Sequence, residues 1–289
     1  MDQSGIQNTI ENEAKNAPQL LSEPRRVSAG KGLSWVTQAM LLFSRRKGMW
    51  LWMTFVMILI SMLLQIIPFI GGIVSGMMTF LFIGGYIFSC DALAEGGSLK
   101  FGYIFSGFKH KSMELLVLTL ISGAISILVL TVVVVSALAV SPELSAVSSG
   151  DAAAMGQYSG KIILWSLLAF LLLLPNGMMV WFAPALITLN DIRPLTAMKM
   201  SFKACLRNIP AFLINILVWI VICGIGGVII GLLAAGPAVG SSGGGEASVF
   251  LILLVIPLYL LVFLMVYTWV MLTYYTSYRS VWTDPPLAK

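Results

Sequence analysis

Residues 115–140 read LLVLTLISGAISILVLTVVVVSALAV, an unbroken apolar run that is long enough to cross the hydrocarbon core of a bilayer. A helix needs roughly 17–25 such residues to span a core about 30 Å thick. Five further stretches reach that length, and none of the six contains Asp, Glu, Lys, Arg or His. The predicted spans are about 49–67, 69–90, 115–140, 162–189, 211–233 and 249–274.

The composition agrees with a chain whose solvent is lipid. Apolar residues make up 58% of the sequence, charged residues 10%, and the mean hydropathy is +0.95, which is not the balance of a water-soluble domain. Backbone polar groups inside a bilayer must be paired within their own segment, so each span is expected to be a helix. The sequence therefore predicts an all-α membrane protein with six transmembrane helices arranged as three hairpins. Spans without ionisable residues argue against an ion-coupled pump.

The cations are distributed unevenly between the connections. Sixteen of the 17 Lys and Arg residues precede the first span, follow the sixth, or lie in the second and fourth connections, and Lys161 lies in one of the others. Cytoplasmic loops of membrane proteins are enriched in Lys and Arg. We therefore predict that both termini are cytoplasmic and that the protein is a multi-pass protein of the bacterial inner (cytoplasmic) membrane.

The ends of the chain contain few core-forming residues. Residues 1–30 lack the apolar core of a cleavable signal peptide and are predicted to be a disordered cytoplasmic tail. Residues 31–282 form the predicted transmembrane domain, and residues 283–289 a second cytoplasmic tail. The first span is then expected to act as an uncleaved anchor.

Few residues are suited to catalysis or metal binding. Cys90, Cys205 and Cys223 show no CxxC or other metal-ligand spacing, so they are expected to be free thiols. His110 is the one histidine, which leaves no zinc cluster and no Ser/His/Asp set. We expect a protein that is not an enzyme, uses no cofactor or metal, and binds no nucleic acid.

The segment from Pro194 to Asn208 has the pattern of an amphipathic helix at the membrane surface. Lys199, Lys203 and Arg207 recur every fourth residue on one face, which is predicted to meet anionic lipid headgroups. The opposite face is predicted to lie among acyl chains and consists of Leu195, Met198, Phe202, Cys205 and Ile209. The alternative is an ordinary basic connection that packs under the helix bundle.

Similar segments precede the other two hairpins. Residues 33–43 carry an apolar stripe that is followed by Arg45, Arg46 and Lys47, three further candidate ligands of lipid headgroups. Residues 101–108 carry another stripe, followed by the sequence Lys-His-Lys. Each hairpin is therefore predicted to follow a cytoplasmic amphipathic helix. The repeated order of helix, basic cluster and hairpin suggests a threefold parallel repeat.

Span four contains an interruption. Pro175 and Asn176 lie near its middle, ahead of Gly177, and Pro184 follows. Proline removes a backbone hydrogen bond where water is scarce, so a break is predicted at Pro175. Transporters bind substrates at such breaks through polar groups near the midplane, which makes Pro175 and Asn176 a candidate solute site. A kink repaired by a neighbouring Ser or Thr hydroxyl, or by water, is the alternative.

A family resemblance rests on two stretches of sequence. Residues 181–186 read WFAPAL and residues 197–208 read AMKMSFKACLRN, and they are preceded by GLSW at 32–35 and FSRR at 43–46. Across roughly residues 30–281 the chain resembles a family of uncharacterised bacterial inner-membrane proteins. It also distantly resembles the membrane domain attached to some glycerophosphodiester phosphodiesterases. The resemblance implies a helical membrane fold and carries over no activity and no functional residue.

Two functions of different classes stay open. The first is a non-enzymatic accessory or scaffold protein, which binds anionic lipid, partner proteins or further copies of itself through its basic segments. The second is a permease for a small neutral or amphipathic solute, centred on Asn176. Uncharged spans and very short outside loops favour the first function, and the interrupted fourth span favours the second.

Overall fold

The chain folds almost entirely into helices. The computed structural model describes residues 18–68, 70–148, 152–240 and 245–287. Short 3-10 turns occur at Phe101–Phe105 and Pro142–Leu144, and two short strands are β1 (Gln19–Leu20) and β2 (Thr283–Asp284). The helices are α1 (Lys31–Arg45), α2 (Lys47–Gln65), α3 (Ile70–Ala94), α4 (Ser106–Lys109), α5 (Ser112–Val140), α6 (Ser145–Ser148), α7 (Ala152–Gln157), α8 (Ser159–Trp181), α9 (Ala183–Asn190), α10 (Pro194–Arg207), α11 (Ile209–Gly240) and α12 (Gly245–Trp282).

Six helical segments of the described chain are long and apolar enough to cross a membrane, which confirms the prediction of an all-α membrane protein. Each contains one of the predicted spans or most of it. They are Lys47–Gln65, Ile70–Ala94, Ser112–Val140, Ser159–Asn190, Ile209–Ile229 and Val255–Trp282. The fourth segment consists of two helices, α8 and α9, in nearly continuous succession.

The described parts of the two termini meet. Strands β1 and β2 pair antiparallel, with Gln19 opposite Asp284. Nearby, the Arg25 amide donates to the Val281 carbonyl at 2.8 Å. The prediction of a disordered tail over residues 1–30 is therefore wrong for residues 18–30, because their backbone groups pair with the end of span six. In the predicted second tail, Thr283 is buried and Leu287 packs against the core, whereas residues 284–286 are exposed. Residues 1–17 and 288–289 lie outside the described part of the chain.

The basic connections lie at the same end of the bundle as these strands, which we call the termini end. Tyr275 of α12 donates to Asp91 of α3 at 2.9 Å, and Tyr278 donates to Asn190 of α9 at 2.5 Å. The connections that follow α2, α5 and α11 define the opposite, far end. The structure thus groups the basic connections on one side. That this side is cytoplasmic stays a prediction.

The tightly packed core is concentrated at the termini end. Helix α12 has 38 residues, about 57 Å at 1.5 Å per residue, whereas a hydrocarbon core is about 30 Å thick. Helix α1 lies against the last part of α12, where Thr276 Oγ1 donates to the Trp35 carbonyl at 2.8 Å and Phe43 contacts Trp269 edge-on. Trp35, Trp50, Trp282, Tyr86 and Tyr275 are all essentially buried in this region. The packed core therefore includes a layer that extends beyond the thickness of one hydrocarbon core.

The amphipathic helix predicted for residues 101–108 is instead a 3-10 turn followed by the one-turn helix α4. Its backbone lies directly on α3: a Cβ at Gly85 would be 2.0 Å from the Ile104 carbonyl oxygen, and one at Gly107 would be 2.0 Å from the Leu81 carbonyl oxygen. This close approach requires glycine at both positions. Helices are present at the other two predicted positions, as α1 and α10. Their placement in a lipid interface stays a prediction.

Candidate functional site

Helix α10 carries the predicted headgroup ligands on one face and packs against the helix bundle with the other. The helix begins at Pro194, where no intrahelical donor is missed, and it ends before Asn208, whose side-chain Nδ2 donates to the Ala204 carbonyl at 3.0 Å. Lys199, Lys203 and Arg207 are exposed along one face. The opposite face is buried against protein and consists of Ala197, Met198, Ser201, Ala204 and Cys205.

This buried face corrects part of the predicted acyl-chain face of α10. Met198 and Cys205 are buried against protein, so they do not face acyl chains, whereas Leu195 is 60% exposed and Ile209 is 45% exposed. Phe202 is half-buried. The contact surface is rotated toward Ala197, Ser201 and Ala204 because small residues let two helix backbones approach closely. The large apolar residues are left at its edges.

Ser201 of α10 joins the helix to an interruption in span four. Helix α8 ends at Trp181 and α9 begins at Ala183, one residue before Pro184. The Phe182 amide donates to Ser201 Oγ at 2.9 Å, and Ser201 Oγ donates to the Met178 carbonyl at 2.6 Å. The hydroxyl thus replaces the missing backbone hydrogen bond. Helix α10 is therefore attached to the membrane-spanning bundle at its interruption.

The interruption in span four is not where the sequence predicted it. Helix α8 runs continuously from Ser159 to Trp181 through Pro175, and the break falls at Phe182. The predicted break at Pro175 is therefore wrong in position. A proline inside a membrane helix is tolerated where neighbouring groups compensate for the lost bond, whereas near Pro184 the chain uses Ser201 to do so.

Asn176 joins spans four and three. Its side chain is 6% exposed, and its amide nitrogen donates to the Ser122 carbonyl at 3.0 Å and to Ser126 Oγ at 2.8 Å. Its Oδ1 has no hydrogen-bond partner among the described residues. Pro175, the other member of the predicted solute site, is exposed. The two residues therefore point to different surroundings, and the amide of Asn176 serves helix packing.

Glu23 occupies part of the basic face of α10. One of its carboxylate oxygens lies 2.6 Å from Lys203 Nζ and 3.8 Å from an Arg207 guanidinium nitrogen. The hydrogen bond from Lys203 holds the pKa of Glu23 below its usual range. All three side chains are about half exposed, so solvent screens the pairs and their contribution to stability is small. The basic face is thus already able to hold an anionic group.

The second predicted basic cluster is a separate patch. Arg45, Arg46 and Lys47 are exposed at the junction of α1 and α2, where Arg45 reaches the Leu93 carbonyl at 3.5 Å. The other end of α1 adjoins Asn208 at the end of α10, since Asn208 Oδ1 accepts from the Val27 amide at 2.8 Å. The length of α1, about 22 Å for 15 residues, therefore separates the two patches.

A buried polar cluster at the termini end is missing from the sequence interpretation. Arg279 is 7% exposed, donates to Tyr275 Oη at 2.7 Å and to Thr283 Oγ1 at 3.1 Å, and lies 3.7 Å from Asp91. Tyr275, Tyr278 and Trp282, near the end of span six, are buried as well. The four-residue spacing of Tyr275, Arg279 and Thr283 is the signal that could have revealed the cluster.

A smaller set of hydroxyl groups joins spans one, two and six. Thr54 Oγ1 lies 2.5 Å from Tyr86 Oη and 2.6 Å from Thr268 Oγ1, and all three residues are fully buried. Trp50 stacks on Tyr86 with ring centroids 5.9 Å apart. Buried hydroxyls that satisfy one another hold helices together without an unpaired polar group. This set therefore serves packing within the bundle.

The cysteines are free thiols, as predicted. Cys90 and Cys205 are buried, and Cys223 is exposed on α11. Cys205 lies 3.4 Å from the Met178 carbonyl, and burial raises the pKa of its thiol to about 12. A thiol that is protonated at neutral pH is a poor nucleophile, so Cys205 belongs to the contact between α10 and span four.

The comparisons with known proteins agree with this architecture. The chain is 27% identical over 261 residues to a curated protein of Burkholderia thailandensis named a probable inner membrane protein, and the match covers 88% of this chain and 92% of that one. No family model matches the chain, and no solved structure matches it. The likeness to the membrane domain of glycerophosphodiester phosphodiesterases is not shown.

The fold and this relative together define the class. Six membrane-capable helices are present, and a relative matched over nearly its whole length is named as an inner-membrane protein. The protein is a multi-pass protein of the inner membrane.

Proposed function

We propose that the protein is a non-enzymatic accessory or scaffold protein of the inner membrane, which holds anionic lipid headgroups on the basic face of α10. The observation that carries this proposal is the pairing of an exposed row, Lys199, Lys203 and Arg207, with an opposite face that is buried on span four. Because the opposite face is packed, the three cations are held at one position relative to the bundle. Partner proteins with an acidic surface are the other ligand class that this face suits.

The expected strength of headgroup binding is moderate. Each Lys or Arg near an anionic membrane surface contributes about 1 kcal/mol, so the three cations of α10 contribute up to about 3 kcal/mol together. The contact of Glu23 with Lys203 and Arg207 opposes this, because its carboxylate competes with a phosphate for the same donors. Removing the carboxylate is therefore expected to strengthen lipid retention.

Native mass spectrometry of the purified full-length protein with phosphatidylglycerol tests the proposal. Replacing Lys199, Lys203 and Arg207 together with Gln should reduce the number of retained anionic lipids, while the helical content stays unchanged. Glu23→Gln should raise retention. The matched comparison replaces Arg45, Arg46 and Lys47, the other candidate headgroup ligands, with Gln; it removes equal charge and should lower retention less than the α10 variant does. Unchanged retention of anionic lipid in the α10 variant would mean that this helix is only a basic connection between two spans.

The permease is supported by one observation, the buried Oδ1 of Asn176 that has no partner among the described residues. The argument against the permease is that the amide nitrogen of the same side chain, on α8, already donates hydrogen bonds to α5. Asn176→Leu separates the two functions, because it removes both groups without changing charge. The scaffold proposal expects this variant to fold, insert and keep the activity that deletion of the chain abolishes. A folded, inserted and inactive variant would favour the permease.

A further inference from the structure

A groove at the far end lies between spans three and four. Its volume is about 380 Å³, and its walls are apolar side chains of α5 and α8 such as Val133, Ala137, Trp165 and Ala169. A dry apolar cavity of about 150 Å³ is enough to hold benzene, so the groove has room for a stretch of hydrocarbon chain. It is a site separate from the basic face of α10, which lies at the termini end.

The connection between the two spans covers the far end of this groove. Leu144, from the 3-10 turn Pro142–Leu144, and Val147, from α6, both line it. Leu144 is 8% exposed, so this part of the connection is packed. Toward the middle of the bundle, the hydrogen bonds from Asn176 to Ser122 and Ser126 draw the helices together. The groove is therefore bounded at both ends, unlike an ordinary lipid-facing surface.

An ion pair lies next to the groove in the chain. Lys161 pairs with Glu143, and each is the chain neighbour of a lining residue, Ile162 and Leu144. Lys161 is also the one Lys or Arg that the sequence places in the connections of this end. A cation beside an anion, above an apolar groove, is complementary to a zwitterionic headgroup above an acyl chain.

We propose that this groove binds an ethanolamine phospholipid, with the phosphate on Lys161, the ammonium group on Glu143 and one acyl chain between α5 and α8. Binding replaces the internal ion pair by two charge-assisted contacts with the headgroup. The apolar walls bury the chain and supply most of the affinity. The site needs neither the cations of α10 nor the proposed function of that helix.

Photochemical cross-linking in detergent tests the acyl-chain contact. The probe is phosphatidylethanolamine with a diazirine in the first half of one acyl chain, and adducts on the full-length protein are mapped by mass spectrometry. We expect adducts at residues 130–138 and 162–169, removed by excess unlabelled phosphatidylethanolamine. Ala169→Trp should reduce them at least tenfold by filling the groove, and Ala137→Trp does the same from the facing helix. The matched control is Ala124→Trp, at an exposed position of α5 outside the groove, which should leave them unchanged.

The two members of the ion pair separate headgroup recognition from loop stability. Lys161→Gln should weaken the competing affinity of every phospholipid about fivefold, which corresponds to about 1 kcal/mol. Glu143→Gln breaks the same ion pair but keeps the cation, so it should abolish the preference for phosphatidylethanolamine over phosphatidylglycerol without weakening phosphate binding. Equal weakening by both variants would overturn the headgroup assignment. Adducts that are spread over all lipid-facing helices and resist competition would overturn the site.

Discussion

The two ends of the bundle are built from similar apolar helices but bury them differently. At the termini end, α1, α10 and residues 101–109 return to pack on the spans, and side chains such as Trp35 and Ile87 are fully buried. At the far end, Val140 of α5 is 72% exposed and Leu232 of α11 is 70% exposed. Apolar residues need an apolar environment in both places, and lipid supplies it where the connections do not.

This difference assigns different sources of stability to the two ends. Protein-to-protein packing and buried polar groups hold the termini end, so substitutions there should cost stability. Most far-end side chains would meet lipid, which is as apolar as the side chains themselves. Matched substitutions at the two ends should therefore differ in their effects.

The largest difference is expected for the two ion pairs. Arg279→Met leaves Asp91 in a largely buried site without its cation, and breaking a buried pair in this way costs about 3–5 kcal/mol. The far-end control is Lys161→Met, which breaks a more exposed pair with Glu143 and should cost at most about 1 kcal/mol. Unfolding in detergent, followed by circular dichroism, measures both. Equal losses would mean that the termini end is no better packed than the far end.

A smaller effect is expected where backbones touch. Gly85→Ala puts a methyl group 2.0 Å from the Ile104 carbonyl oxygen, and such overpacking costs roughly 1–3 kcal/mol. Gly224→Ala is the matched change at the far end, where a Cβ has no neighbour within 4 Å among the described atoms. It should be neutral or slightly stabilising, since Ala favours helix over Gly. A neutral Gly85→Ala protein would show that residues 101–109 do not lie tightly on α3.

The smallest difference is expected for hydroxyl groups. Thr54→Val removes the oxygen shared with Tyr86 and Thr268, and hydrogen bonds between membrane helices contribute about 0.6 kcal/mol on average and up to about 1.7 kcal/mol. Thr131→Val, at an exposed position of α5, should change stability by less than the error of the same unfolding measurement. A Thr131 effect as large as that of Thr54 would argue that α5 has a partner at the far end.

The spans could be predicted from the sequence because length and hydropathy alone decide whether a helix can cross a bilayer. The row of Lys199, Lys203 and Arg207 could be predicted as well, since a four-residue period puts side chains on one face whatever lies on the other. The buried face could not be, because hydropathy favours Leu195 and Phe202, whereas packing on span four selects Ala197, Ser201 and Ala204. That choice depends on which helix approaches, which a single segment does not encode.

The sequence did not predict where span four breaks, or that residues 18–30 are ordered, for a related reason. Pro175 and Pro184 look alike in sequence, but only the second lies beside a helix break that the hydroxyl of Ser201 bridges. Residues 18–30 have little apolar content of their own, and they are held through backbone bonds to Val281 and to the side chain of Asn208. Both outcomes depend on partners far away in the chain.

Labelling with a membrane-impermeant thiol reagent in intact spheroplasts tests most directly whether the packed, basic end is the cytoplasmic one. Two reporters with one added cysteine each are compared in a Cys223→Ala background, where the remaining Cys90 and Cys205 are buried: Ser148→Cys at the far end and Lys199→Cys on α10. Because Lys and Arg are retained on the cytoplasmic side, we predict that Ser148→Cys is labelled in intact spheroplasts and that Lys199→Cys is labelled only after lysis. Labelling of Lys199→Cys, but not of Ser148→Cys, in intact spheroplasts would contradict the orientation and place the basic face of α10 outside the cell.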